Sequence, residues 1–209
     1  MEYLVVALLF IVLLQTRIMD LRRGIICLSV QSALIAAACL IVGTAHGGGL
    51  HGFLPGVLTI AVKVIFIPYA ILKVVRQLTD EKEIVSDINV NYSTAVAAGA
   101  LCLSYMVFDS LLPHVEGRDI LASSMFMIMT GLALIVMRSR AIMQMIGLIT
   151  LENGIYLFGL IMTEGLPLII ELGIFLDVLI AVVILVILTS RLRLSFKTTD
   201  TNVLKKLKG

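Results

Sequence analysis

The chain has 209 residues, of which 60% are hydrophobic and only 14% are charged, and its mean hydropathy is +1.09. Soluble globular domains have about 45–50% apolar and about 25% charged residues, so this composition predicts an integral membrane protein in contact with the lipid bilayer. The formal net charge of +2 is too small to suggest a nucleic-acid partner.

The apolar stretches predict an all-α fold, a bundle of seven transmembrane helices, because each span needs roughly 20 apolar residues. The first stretch lacks the basic segment of a signal peptide, so we expect it to be retained as a span. The predicted spans, in chain order, are residues 3–20, 24–43, 54–75, 93–113, 119–137, 141–163 and 167–190. The longer connections are residues 76–92 and the tail 191–209.

The distribution of lysine and arginine predicts the orientation of the bundle, because cytoplasmic loops are enriched in these residues. One set of connections carries nearly all of them, the opposite set holds only Arg118, and Lys63 lies within a span. We therefore expect the N-terminus outside and the C-terminus in the cytoplasm. The residues on the predicted cytoplasmic side are Arg17, Arg22, Arg23, Lys73, Arg76, Lys82, Arg138, Arg140, Arg191, Arg193, Lys197, Lys205, Lys206 and Lys208.

Ionisable residues inside the predicted spans are the candidate functional residues, because charge within a bilayer is expensive and marks ion or proton pathways. At a rise of ~1.5 Å per residue, Lys63, Glu152 and Asp177 all lie ~13–16 Å inside their spans, near the middle of a ~30 Å core. They are either a proton relay or a static ion pair that fixes helix register. Glu171 is shallower and about 120° around its helix from Asp177; an outer exit, a subunit contact and an interfacial position stay open for it.

Pro68 follows Lys63 in the third span, in the stretch KVIFIP. A proline inside a helix removes a backbone hydrogen bond, which predicts a kink close to the lysine. The alternative is a proline tolerated for packing. Asp20 and Asp109 lie near the ends of their spans and are predicted to be interfacial.

The three cysteines, Cys27, Cys39 and Cys102, are isolated in the sequence, with no C-x-x-C motif and no metal-ligand spacing. This pattern argues against iron–sulfur clusters and structural zinc, so we expect no cofactor in the chain. No Ser/His/Asp or Cys/His set appears at a common depth, which argues against a hydrolase within the membrane.

The stretches AIMQMIGLITLENGIYLFGL at 141–160 and IIELGIFLDVLIAVVILVILTSRLR at 169–193 resemble component E of hydrogenase-4. Members of that family are membrane subunits of group 4 energy-converting nickel–iron hydrogenases. The resemblance covers the whole chain. It implies a multi-pass subunit of the inner (plasma) membrane whose partners are antiporter-like subunits and a nickel–iron hydrogenase module. The metal cofactors would lie in those partners, and this chain would be a non-catalytic subunit of the oxidoreductase complex.

The part from about residue 119 is also similar to the K subunit of complex I and the C subunit of multi-subunit cation/proton antiporters. This similarity implies a four-helix part at 1–118, a three-helix part at 119–190 and a basic tail at 191–209. One glutamate of the K subunit falls on Ile149, one turn before Glu152, and another falls on Asp177, while Asn153 matches an asparagine found often in that subunit.

The resemblance thus implies a proton or cation path through the chain. A scaffold subunit that holds other modules without conducting protons is the main alternative. An independent transporter is the weaker one, because the sequence lacks the paired broken helices that many transporters use.

Overall fold

The computed structural model describes residues 2–45, 50–76, 90–115, 117–162 and Leu179. Within these residues the chain is helical and contains no strand. The elements are α1 (Glu2–Arg17), α2 (Leu21–Ala45), α3 (Leu50–Thr59), a π-helical segment (Ile60–Phe66, the π segment), α4 (Ile67–Val75), α5 (Val90–Leu111), α6 (Arg118–Met137) and α7 (Ala141–Met162).

Five of the described helical stretches are long and apolar enough to cross a membrane, and α1 is apolar but shorter. The five are Leu21–Thr44, Gly56–Lys73, Asn91–Leu111, Arg118–Met137 and Ala141–Met162. Helices suit this setting because each backbone N–H and C=O is bonded within its own segment, away from lipid. The chain is therefore a helical membrane protein. The predicted seventh span at 167–190 lies outside the described residues except for Leu179.

Local signals explain where two of these helices begin. The Asp20 carboxylate accepts the backbone N–H groups of Arg22 and Arg23 at 2.9 and 3.4 Å, so it caps the first turn of α2. Gly117 has a left-handed backbone (φ of 84°) immediately before α6, a conformation that glycine adopts without steric cost.

Helices α6 and α7 approach each other closely because glycines line their contact. A Cβ added at Gly131 would lie 2.4 Å from the backbone nitrogen of Leu151, and one added at Gly154 would lie 2.8 Å from the carbonyl oxygen of Ser124. Small residues allow such backbone-to-backbone packing in membrane helices, where apolar surface alone provides little attraction. This pair of helices is the frame that holds the middle of α7.

The buried apolar residues form two clusters, one toward each end of α2 and α7. One contains Ile35 and Cys39 of α2 with Tyr156 and Leu157 of α7. The other contains Leu21, Ile25 and Leu28 of α2 with apolar residues of α7 that include Ile142 and Ile149. Between the two clusters the buried side chains of α2 and α7 are polar: Gln31, Ser32, Thr150, Glu152 and Asn153. We call this band, together with Lys63 of the π segment, the polar layer.

Candidate functional site

An ion pair lies in the polar layer and joins the π segment to α7. The Lys63 ammonium contacts the Glu152 carboxylate, and their side chains are 0% and 7% exposed. Taking two charges out of water costs several kcal/mol each, so the pair depends on its mutual attraction and on further hydrogen bonds. The site is therefore an ionisable pair enclosed by protein.

Asn153 supplies one of those further hydrogen bonds. Its Oδ1 accepts from the Lys63 Nζ at 2.9 Å, and its Nδ2 donates to the Ser32 hydroxyl of α2 at 3.2 Å. Asn153 and Ser32 are both 0% exposed. The Asn153 amide thus connects Lys63 to α2. Among the described residues, Oε1 of Glu152 has no hydrogen-bond partner.

Tyr156 closes the layer on the side of the first apolar cluster. Its ring centroid lies 5.3 Å from the Lys63 Nζ, and the ring is fully buried. A cation over a desolvated aromatic face is stabilised by about 2 kcal/mol. The Cys39 thiol donates to the tyrosine hydroxyl at 3.3 Å. Tyr156 lies one turn after Glu152 and Asn153, so all three share a face of α7.

The π segment aligns Lys63 with the buried side of its helical stretch. The buried positions there include Thr59, Lys63, Ile67, Ile71 and Val75, which recur every four residues. In an α-helix, at ~100° per residue, a side chain four residues further along points about 40° away from the first. Positions spaced by four would therefore rotate gradually out of the core. A π-helical turn contains more residues, as seen where the Ile67 N–H donates to the Val62 carbonyl five residues earlier. The wider turn compensates for the drift.

Pro68 is buried in the first turn of α4, directly after the π segment. Because α4 continues the π segment without a break, the missing N–H of Pro68 leaves a carbonyl of the preceding turn without that backbone donor. The sequence predicts a kink at this place and does not predict the π segment. The kink itself stays a prediction.

The charged residues at the two ends of the bundle differ from those of the polar layer. Asp109 is exposed and pairs with Arg118, whose side chain is 33% exposed. At the other end Arg138 is 2% exposed and donates from Nη2 to the Thr16 carbonyl at 2.6 Å, which ties the α6–α7 connection to the end of α1.

The structure thus brings together Lys63, Glu152 and Asn153 of the predicted site. Asp177 and Glu171 lie outside the described residues, and their relation to the pair stays a prediction. The polar layer and its surroundings also contain residues that were not predicted from the sequence: Ser32, Tyr156, Gln15, Gln31 and Thr150. A polar side chain in an otherwise apolar span was the signal available for them, and Thr150 also stands one turn before Asn153.

The polar layer can hold or move a proton, because it contains a base and an acid in contact. No three His, Cys, Asp or Glu side chains within the described part of the chain are grouped so that they could hold a metal ion. Enclosure disfavours the charged form of each partner, while the opposite charge favours it. Separation of the lysine from the carboxylate would therefore make the charged form of each less favourable.

The chain is similar to the uncharacterized protein Rv0085 of Mycobacterium tuberculosis. The two are 30% identical over 192 residues, which cover 90% of this chain and 87% of that protein. No family model and no solved structure matches the chain. Because the similarity runs through nearly the whole of both proteins, this chain belongs to the same family as Rv0085.

Proposed function

We propose that this chain is a membrane subunit of an energy-converting hydrogenase or related oxidoreductase complex and provides part of a proton path. The observation that carries the proposal is the enclosed Lys63–Glu152 pair, held between three helical stretches. Ionisable residues inside membrane proteins are expensive to keep and are typical of proton and ion routes. Glu152 is the protonatable group of the path, and Lys63 controls its charge.

The resemblance of residues 141–160 and 169–193 to component E of hydrogenase-4 supports the rest of the proposal. On this basis Asp177 is the next relay residue and Glu171 an outer exit or subunit contact. The partners are antiporter-like subunits and a nickel–iron hydrogenase module, in the inner (plasma) membrane. The N-terminus is outside, so the end of the bundle that carries Arg17 and Arg138 faces the cytoplasm.

Affinity purification tests the partners. An affinity tag on the chain, expressed in its own host and extracted in mild detergent, is expected to recover antiporter-like and nickel–iron hydrogenase subunits. Recovery of this chain alone, as a monodisperse protein, would contradict the assignment to such a complex.

A second candidate is a scaffold subunit, and the packing of Lys63 favours it. The lysine contacts Glu152, Asn153 and the ring of Tyr156 at once, which is how a buried ion pair fixes helix register. In that case Glu152→Gln would reduce the amount of intact complex on a native gel, and whatever assembled would translocate protons normally. The relay predicts the reverse: an assembled complex without coupled proton movement.

A further inference from the structure

Three neutral polar side chains from three helices meet in the polar layer and its border with α1. They are Gln15 of α1, Gln31 of α2 and Thr150 of α7, and they are 2%, 0% and 0% exposed. The Thr150 Oγ1 lies 3.3 Å from Oε1 of Gln15 and 3.4 Å from Oε1 of Gln31. We call these three residues the amide cluster. No step of the proposed function uses them.

The amide cluster has more hydrogen-bonding groups than its own members can satisfy. The Thr150 hydroxyl has one proton, and three acceptors lie within its reach: the two glutamine oxygens and, at 2.8 Å, the Ile146 carbonyl. At least two of those acceptors therefore receive no proton from it. Among the described residues, Nε2 of Gln15 and Nε2 of Gln31 also have no hydrogen-bond partner.

Enclosed polar groups of this kind are typical of internal water sites. Nearly all buried polar atoms in proteins are bonded to protein or to ordered water, because leaving one without a partner is costly. An internal water needs two to four polar partners, and the two primary amides and the hydroxyl can provide them. The cluster therefore has the chemistry to bind water, which can both donate and accept.

The amide cluster also lies between the ion pair and the arginine-rich end of the bundle. On one side, Gln31 adjoins Ser32, which accepts from Asn153, and Thr150 stands one turn before Asn153 on α7. On the other side, Gln15 adjoins Thr16, whose carbonyl accepts from Arg138. A surface cavity of about 400 Å³ borders the same end of α1 and is lined by Leu14, Arg17, Ile18, Met19, Asp20 and Arg23.

We infer that the amide cluster binds water and that this water links the Lys63–Glu152 pair to the end of the bundle that carries Arg138. The cluster supplies a neutral relay: protons pass along the water, while the amides and the hydroxyl orient it. The water site stands on the geometry alone. Its place on a proton route rests on the proposed function.

Thiol accessibility to silver ion tests the water site. Full-length chain is produced in native membranes with Cys27, Cys39 and Cys102 replaced by alanine, and Gln31→Cys or Thr150→Cys is then introduced. Matched controls are Leu28→Cys and Ile149→Cys, which also replace 0% exposed side chains on the same two helices but lie in the second apolar cluster. All four substitutions put a cysteine in a buried position and leave some space beside it. Added space alone would therefore not make the reaction rates at the test and control positions differ.

We expect silver ion to react at Gln31→Cys and Thr150→Cys at least about tenfold faster than at the controls, because ions are excluded from a dry apolar interior. The readout is protection of the thiol from maleimide labelling after denaturation. Equal rates at the test and control positions would overturn the water site, whatever Glu152→Gln does to proton transfer. Fast reaction at the cluster together with normal proton transfer in Glu152→Gln would leave the water site intact and refute the proposed function.

The route itself is tested in the assembled complex with Gln31→Leu and Thr150→Val. Each change keeps much of the side-chain volume and removes the groups that orient water. We expect the initial rate of proton translocation to fall several-fold in both variants, while a substitution in the second apolar cluster, Leu28→Met, leaves it unchanged. An unchanged rate in both variants, with the complex present on a native gel, would remove the cluster from the route.

Discussion

Lys63 and Glu152 are 89 residues apart in the sequence, yet their side chains form an enclosed ion pair. The pair joins the π segment to the middle of α7, the level at which α2 also presents polar side chains. Its position between two apolar clusters means that the energetic effect of either charge depends on the other. The first prediction follows from this dependence.

Removal of one charge from the pair should destabilise the protein far more than removal of both. Lys63→Met or Glu152→Met alone leaves an enclosed charge without its partner, which costs about 3–5 kcal/mol. The double variant replaces the pair by apolar side chains and should lose much less than the sum of the single effects. Thermal unfolding of the wild type, the two single variants and the double variant in one detergent measures the coupling between the two residues. If the loss of stability in the double variant equals the sum of the single losses, the pair does not act as a unit.

The amide of Asn153 should be required for the same arrangement. Asn153→Leu removes an acceptor from Lys63 and a donor from Ser32, which should cost about 1–3 kcal/mol because both partners stay buried. Ile155→Leu, on the exposed side of the same helix, is the matched control and should be neutral. Equal unfolding temperatures for the two variants would indicate that the Lys63–Asn153 contact is not formed in the membrane.

The exposed pair of Asp109 and Arg118 should behave differently from the enclosed one. Because the Asp109 side chain is 69% exposed, Asp109→Asn should change stability by less than about 1 kcal/mol. Added salt should abolish even that difference. A large, salt-independent loss in this variant would mean that the end of α5 that carries Asp109 is covered in the native assembly.

The close approach of α6 and α7 should depend on Gly131. In Gly131→Ala the new Cβ would meet backbone atoms of Leu151, so the helices must separate, at a cost of about 1–3 kcal/mol. Gly99→Ala is the matched control, because a Cβ there meets nothing within 4 Å and alanine favours the helix. Unfolding temperatures should fall for the first change and stay level or rise for the second. The opposite order would contradict the packing of this helix pair.

Much of the helical organisation could be predicted from apolar stretches alone. The predicted spans at 24–43, 54–75 and 141–163 each coincide with a described helical stretch within a few residues. The matching depth of Lys63 and Glu152 could also be predicted, because the rise per residue fixes level along a helix. Contact between the two side chains could not, since depth says nothing about which helices are neighbours.

Two other features of the site, the π segment and the amide cluster, could not be predicted from the sequence. The π segment was not predicted, because Pro68 alone suggested a kink and the four-residue repeat of buried positions appears only once burial is known. Gln15, Gln31 and Thr150 were passed over because neutral polar side chains do not have the charge that made Lys63 and Glu152 conspicuous. Their meeting depends on contacts among α1, α2 and α7 that periodicity does not determine.

Proton translocation by membrane vesicles that contain the assembled complex with Glu152→Gln tests whether this carboxylate carries the proton. Asp109→Asn is the control, because it removes an acid at the exposed end of α5. The relay predicts that translocation in Glu152→Gln falls to the level of vesicles without the chain, while the intact complex persists on a native gel and the control behaves as wild type. Wild-type translocation in Glu152→Gln would contradict the claim that this carboxylate carries the proton.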